Sequence, residues 1–377
     1  KGQPLRRPTL TWNKSCCLLA MRTKFWLPQY RDRMARNKKR LPHTPRAPPT
    51  GHLEGHGHKP SPVGQTPIPP PVPSQGYRVG DRVITMGRSG MWQEVVVVAA
   101  DRTFPMPEQM SFEEGAALPI NYLTAYMMLF EMANVRSGQS VLIHMAAGGV
   151  GIAATQLCHT VPDVTVFGTA SPSKHEIIAQ GGVTHPIDYR TKDYVEEIRK
   201  ISPQGVNIVL DPLSGSDTQK GFSLLKPLGT LIVFGAANTV TGQKKNLLAL
   251  AKTWYNQLSL STLKLMQANK AIGGFHLGHI ADEQLIRRTM FTLLELYNQG
   301  HIKPRIDSRY HFEEVADAMR RMHERQNIGK VILLPEAKKE EEKPTSSSEP
   351  TENVEKTEAA VTEKEEAAAE EVKAEKD

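Results

Sequence analysis

The segment Val141-Leu-Ile-His-Met-Ala-Ala-Gly148-Gly149-Val-Gly151 constrains the fold of this chain more than any other. A short apolar run feeds a glycine-rich turn, and the residues beyond it carry a helical pattern. A tight turn, close backbone approach and a helix start with free amides together suit an anion, because those amides point outward along the helix axis. Gly148 permits close approach, and Gly151 permits close packing of helix on strand. Ala146 stands where a dinucleotide fingerprint has its first glycine. Taken alone, the turn is equally a tight strand–helix connection that holds no ligand.

The surrounding pattern extends the unit. Strands are expected at Val141–Met145, Val164–Thr169, Val206–Asp211 and Thr230–Gly235. Helices are expected at Gly149–His159, Pro172–Gln180, Asp193–Ile201 and Gly221–Leu225. Such alternation implies a doubly wound parallel sheet covered on both faces. Upstream, Val79–Val83 reads as a turn entering a strand, and Gln93–Ala99 as a buried β-branched strand. Ser111 and Glu114 have capping-box spacing ahead of a helix running to about Ala133, with a break expected at Pro119. Downstream, Phe312–Arg325 is an amphipathic helix, and a turn at Asn327–Gly329 leads into a last strand, Lys330–Leu334.

Composition divides the 377 residues into regions. Residues 1–76 are basic and proline-dense, residues 336–377 acidic and nearly free of large apolar residues, so the net charge of +7 describes no single surface. The leader reads as a solvated arm, or as an electrostatic contact for nucleic acid or anionic lipid through Arg31, Arg33, Arg36, Lys38, Lys39 and Arg40. Nucleic acid ranks last as a partner, because no aromatic stacking platform accompanies those charges. The acidic tail is expected to be disordered, or a transient helix over 362–377. No apolar run is long enough to span a membrane. The leader's Arg-rich character only faintly suggests a mitochondrial presequence. With three cysteines (Cys16, Cys17 and Cys158) and no CxxC pair, neither a disulfide framework nor a cysteine zinc site is expected. This favours a reducing, cytoplasmic setting.

The strand after the glycine turn ends Phe167-Gly-Thr-Ala-Ser171-Pro-Ser-Lys174, with no acidic residue. A coenzyme lacking a 2′-phosphate usually meets an acid there, whereas Ser171 and Lys174 can donate to a phosphate. NADPH is therefore favoured over NADH. Residues 77–335 resemble the quinone-reductase branch of the medium-chain dehydrogenase/reductase superfamily, and within it the vesicle amine transport group of synaptic-vesicle membrane proteins. The resemblance is carried by RSGMWQE (88–94), NYLTAYMMLF (121–130), HMAAGGVG (144–151), VFGTASPSKHE (166–176), GVTHPIDYRTKDYVEEI (182–198), LLKPLG (224–229), NQGHIKP (298–304) and IGKVILLP (328–335).

The resemblance implies a remnant of a GroES-like β domain over 77–120, a Rossmann NADPH-binding domain over 121–275 and a return to the catalytic domain over 276–335. It places Ala147, Gly148, Gly149, Val150 and Gly151 at the pyrophosphate. Ser171, Lys174 and Tyr189 fall at the 2′-phosphate, and Thr124, Gly235, Ala236 and Leu277 on the nicotinamide side. Tyr189 is equally a half-buried packing residue, Asp211 a ligand-side carboxylate or a turn cap. His144 and Cys158 read as core, and no catalytic residue is assigned. The implied activity is zinc-independent hydride transfer to a quinone or enone. The alternative is a weakly catalytic interaction protein peripheral to vesicle or mitochondrial outer membranes. A homodimer through an edge strand near Ala271–Leu277 is also implied. Residues 1–76 do not read as the β-rich segment that family members carry before this region. Either another leader takes its place or the start of the reading frame is misassigned. With either, the barrel is expected to be incomplete, leaving strand edges and apolar surface exposed.

Overall fold

Alternating side chains along β4 (Ser140–Ile143) set the architecture, because the strand is buried on both faces. Val141 and Ile143 enter one apolar cluster, Leu142 the other. The computed structural model describes residues 76–239 and 261–335, with the backbone of a short strand at Ala20–Arg22. Cys16, Cys17, the leader and linker through residue 75, and the acidic tail lie outside the described residues.

Six strands form one parallel sheet in the order β6-β5-β4-β7-β8-β9. On one side of β4 lie β5 (Thr165–Ala170) and β6 (His185–Asp188); on the other lie β7 (Val206–Asp211), β8 (Leu225–Val233) and β9 (Ala271–Gly274). All strands run parallel, and the strand order reverses between β4 and β7, which is where doubly wound sheets open a crevice at their carboxyl ends. Helices α1 (Phe112–Tyr126), α2 (Gly149–Cys158), α3 (His175–Gln180) and α7 (Glu283–Asn298) supply the apolar residues of the first cluster, including Leu123, Leu157, Ile178 and Leu293. Helices α4 (Tyr194–Ile201) and α5 (Ser216–Leu224) cover the second face through Tyr194, Ile198 and Phe222. Helix α6 (Thr262–Ala268) precedes β9. Each fully buried aliphatic side chain contributes on the order of 1.5–3 kcal/mol, so the two-faced core holds the sheet as the rigid base of the site.

Two smaller sheets accompany it. Strands β1 (Ala20–Arg22), β2 (Arg82–Thr85) and β3 (Thr103–Pro105) pair antiparallel, while β10 (Ile306–His311) and β11 (Lys330–Leu334) pair parallel, with α8 (Val315–His323) packed on both.

Several expectations need correction. Residues 93–99 form no strand: Val95 and Val97 are 71% and 101% exposed, and only Val96 turns into a small cluster with Val331 and Leu333. Among the described residues no strand pairs with this stretch, and a β-branched run without a partner gains nothing from extension. Helix α1 passes Pro119 unbroken and gives way after Tyr126 to a π-helical turn, Met127–Met132. Burial of Leu118, Leu123 and Ala125 outweighs the missing amide at Pro119. The expected helix at 221–225 is α5, five residues earlier at its start, and β8 extends back to Leu225. The expected helix at 312–325 is shorter, with a 3-10 turn at Phe312–Glu314 leading into α8. The capping box at Ser111 forms as expected, Glu114 N–H donating to Ser111 Oγ at 3.1 Å and Ser111 N–H to Glu114 Oε2 at 2.9 Å.

Candidate functional site

The chain leaves β4 through buried His144 and turns at Met145, whose φ is +54°. Gly148 N–H closes the turn on Met145 O at 2.8 Å, and α2 starts at Gly149. No side chain caps this helix, because its N-cap is Gly148. The first-turn amides of Gly149, Val150 and Gly151 are therefore presented to whatever anion occupies the helix end. Side chains are excluded at close quarters. A Cβ on Gly151 would lie 2.5 Å from Met145 O, and one on Gly149 2.4 Å from Asn121 Nδ2. Ala146, in place of the first fingerprint glycine, is accommodated from β5: its amide donates to Thr169 O at 3.0 Å, and Gly168 leaves room for its methyl.

Strand β6, not anticipated from the sequence, pairs Asp188 with Ala170 at the carboxyl end of β5. Ser171 and Tyr189 are thus the first residues beyond two neighbouring strand ends. Lys174 joins Ser171 within one 3-10 turn, its amide donating to Ser171 O at 2.9 Å. Tyr189 is 41% exposed, directly beyond the end of β6. Lys174 is half-buried, and its ammonium donates to the carbonyls of Arg325 (2.7 Å) and Asn327 (2.8 Å). Burial pulls its pKa below the usual lysine value.

On the opposite side of the crevice, Gly235 and Ala236 follow β8. A Cβ on Gly235 would fall 2.8 Å from Pro212 O, and Gly235 O accepts from Ser214 Oγ at 2.7 Å. Thr124 is buried on α1, and the 3-10 turn Leu277–His279 lies against that helix. Asp211 is a turn cap: Oδ1 accepts from Leu213 N (2.7 Å) and Ser214 N (3.1 Å), and Oδ2 from Thr218 Oγ1 (2.5 Å). His144 is core, with Nδ1 3.1 Å from Thr169 Oγ1 and its ring 4.8 Å from that of Tyr194. Cys158 is buried helix packing, its thiol pushed up to about 12 by burial.

The turn expected at Asn327–Gly329 belongs to the site, a placement that sequence spacing did not show. The segment 325–329 crosses from the turn that follows β8 to the glycine loop. Arg325 Nη2 donates to Ala237 O at 3.2 Å, and Gly329 N–H donates to Ala147 O at 2.9 Å. Behind it, Asp307 accepts from Arg321 Nε (2.6 Å) and Nη2 (3.0 Å) and from Ile328 N (2.7 Å). Burial alone would raise the Asp307 pKa; these donors outweigh it and hold the carboxyl below its usual range.

Among the described residues no three His, Cys, Asp or Glu side chains come together as a metal site. None of the described helices is long and apolar enough to cross a membrane.

A parallel sheet with an uncapped glycine helix start beside β4 defines a Rossmann-fold protein of the dehydrogenase type. A family model described as zinc-binding dehydrogenase matches residues 181–333. A zebrafish (Danio rerio) synaptic vesicle membrane protein VAT-1 homolog is 68% identical over 267 residues, covering 71% of this chain and 55% of that protein. Human quinone oxidoreductase is 30% identical over 298 residues, covering 78% of this chain and 80% of that protein. The solved human VAT-1 homolog-like protein superposes with a TM-score of 0.59 at 45% identity, covering 70% of this chain and 74% of that one. A mycobacterial protein solved in complex with NADPH superposes at 0.58 with 25% identity, covering 68% and 75%. The chain belongs to the VAT-1 family, in the quinone-reductase branch of the medium-chain dehydrogenase/reductase superfamily. It spans about half the length of its zebrafish relative.

Proposed function

We propose that the chain binds NADPH and transfers hydride, without zinc, to a quinone or enone. The observation that carries this reading is the start of α2, where Gly148 provides no side-chain cap and Gly151 admits no side chain. The amides of Gly149, Val150 and Gly151, with the positive end of the α2 dipole, would hold the pyrophosphate. Ser171, Lys174 and Tyr189 would hold the 2′-phosphate from the ends of β5 and β6. Thr124, Gly235, Ala236 and Leu277 would wall the nicotinamide side. The coenzyme supplies the hydride; the protein's part is to orient the acceptor and stabilise developing oxyanion charge. The dehydrogenase family match, the human quinone oxidoreductase and the NADPH-complexed mycobacterial neighbour support this reading. The zinc-free part of the reading is supported by the donor set, since no three His, Cys, Asp or Glu side chains come together among the described residues. Loss of nicotinamide absorbance on adding a panel of quinones and enones to the full chain with NADPH tests the proposal. Binding without turnover on any acceptor would reduce it to a nucleotide-binding function.

A second reading rests on the relatives' name: peripheral association with vesicle membranes. Co-sedimentation of the full chain with anionic liposomes tests it, and its absence from the pellet would count against it.

We also propose a homodimer through β9. It is an outer strand of the six-stranded sheet, and Leu228, Leu263 and Met266 near it are 87%, 56% and 66% exposed. Among the described residues no strand pairs with the outer edge of β9, and an edge with apolar neighbours favours strand addition by a second copy.

A further inference from the structure

Lys174 does more in this fold than wait at a strand end. Its two carbonyl acceptors, Arg325 O and Asn327 O, belong to the strap 325–329, whose other contacts fix it across the site. Gly329 pairs with Gly148 as an isolated parallel bridge, and Asn327 Nδ2 donates to Gly329 O at 2.9 Å. The strap's course leaves no slack at Gly329: φ is +104°, and a Cβ there would sit 2.3 Å from Arg305 O. The lysine on β5's exit and the backbone of the glycine loop are thereby joined through five residues of strap.

An ammonium has three N–H donors. Two are spent on neutral carbonyls, and among the described residues no carboxylate bonds the ammonium directly. The nearby carboxylate of Asp307 is already engaged by Arg321, Ile328 and Ser308. The third donor of Lys174 thus suits an anion that brings its own charge, and a charge-assisted bond there would strengthen the hold on all three acceptors.

We propose that Lys174 is a positioning residue that latches the strap 325–329 over the glycine loop, and that a coenzyme 2′-phosphate on its third donor tightens the latch. Seating of the strap and choice of coenzyme are then one event. This rests on the NADPH reading for its ligand but not for the latch itself.

Amide hydrogen exchange on the full chain tests it, read at Gly329 and Lys330, whose N–H groups donate to Ala147 O and Arg305 O. Without coenzyme, Lys174→Met speeds exchange at both amides by about tenfold or more, the loss of two bonds from a charged donor. Lys174→Arg keeps the charge and restores most of the protection. Amides of β4 stay protected in both variants, which separates the latch from unfolding. In the wild type, saturating NADPH slows exchange at Gly329 further than saturating NADH; in Lys174→Met the two coenzymes act alike. Unchanged exchange in Lys174→Met would overturn the latch. Equal protection of the wild type by both coenzymes would overturn the coupling. Absence of saturable binding by either coenzyme would overturn the NADPH reading and the coupling with it, while the coenzyme-free comparison still decides the latch.

Discussion

Gly151 lies directly beneath the carbonyl of Met145, so close that a Cβ on the glycine would fall 2.5 Å from that oxygen and 2.7 Å from Ala146 Cα. This single approach sets how near α2 comes to β4. Gly151→Ala therefore forces helix and turn apart, with an expected loss of about 1–3 kcal/mol of stability, typical of overpacking. Gly148→Ala, whose Cβ meets only Met145 O at 3.2 Å, is expected to cost less. Denaturant unfolding of the two variants checks the ranking, and equal losses would contradict it.

His144 makes stability depend on pH. Burial lowers its pKa, with the charges of Asp211 and Asp217 offsetting part of that effect. In the unfolded chain an imidazole titrates near ~6.5. The unfolded state thus takes up the proton first, and stability present above that pH is lost as pH falls below it. This residue contributes a slope of up to ~1.4 kcal/mol per pH unit. Unfolding curves at pH 7, 6 and 5 for wild type and His144→Asn check this, with a shallower dependence expected in the variant. Parallel curves would remove the assignment.

Asp307 braces the strap from behind. Asp307→Asn leaves Arg321 without its carboxylate and weakens the acceptor of Ile328 N–H, with an expected cost of about 1–3 kcal/mol. Because its pKa is lowered in the fold, the carboxylate's contribution is present above the ordinary value of ~3.9 and lost as pH falls through the folded value. A thermal melt at neutral pH shows the loss, and an unchanged melting temperature would refute it.

Strand β9 gives a test of the dimer. Phe275 N–H donates to Val233 O, so by alternation the amide of Gly274 faces away from β8. Gly274→Pro removes that outward donor while sparing the sheet, and Gly274 has open space around a Cβ. Sedimentation of the full chain is expected to show a dimer in the wild type and a monomer in the variant. A wild type that sediments as a monomer would end the proposal.

The sequence made the parallel sheet legible because strands buried on both faces are short, apolar and separated by turn residues. Helix α7 escaped notice although Asp282 caps it and Met290, Leu293 and Leu294 line its buried side. Strand β6 was hidden by Pro186, a residue tolerated because β6 is an outer strand of the sheet. The run 93–99 misled for the opposite reason: its composition is that of a strand, but strand formation depends on a partner. At the site, the glycines and the Ser171–Lys174 turn are local and visible in the sequence. The strap is not, since Lys174 meets Arg325 and Asn327 across about 150 residues through bonds to backbone carbonyls, which carry no side-chain signature.

Calorimetric titration of the full chain with NADPH and with NADH shows whether the site reads the coenzyme's 2′-phosphate. Saturable one-site binding of NADPH is expected, at least ~10-fold tighter than NADH, the worth of one charge-assisted bond to the 2′-phosphate. Equal affinities for the two coenzymes, or no saturable binding of NADPH, would contradict that expectation.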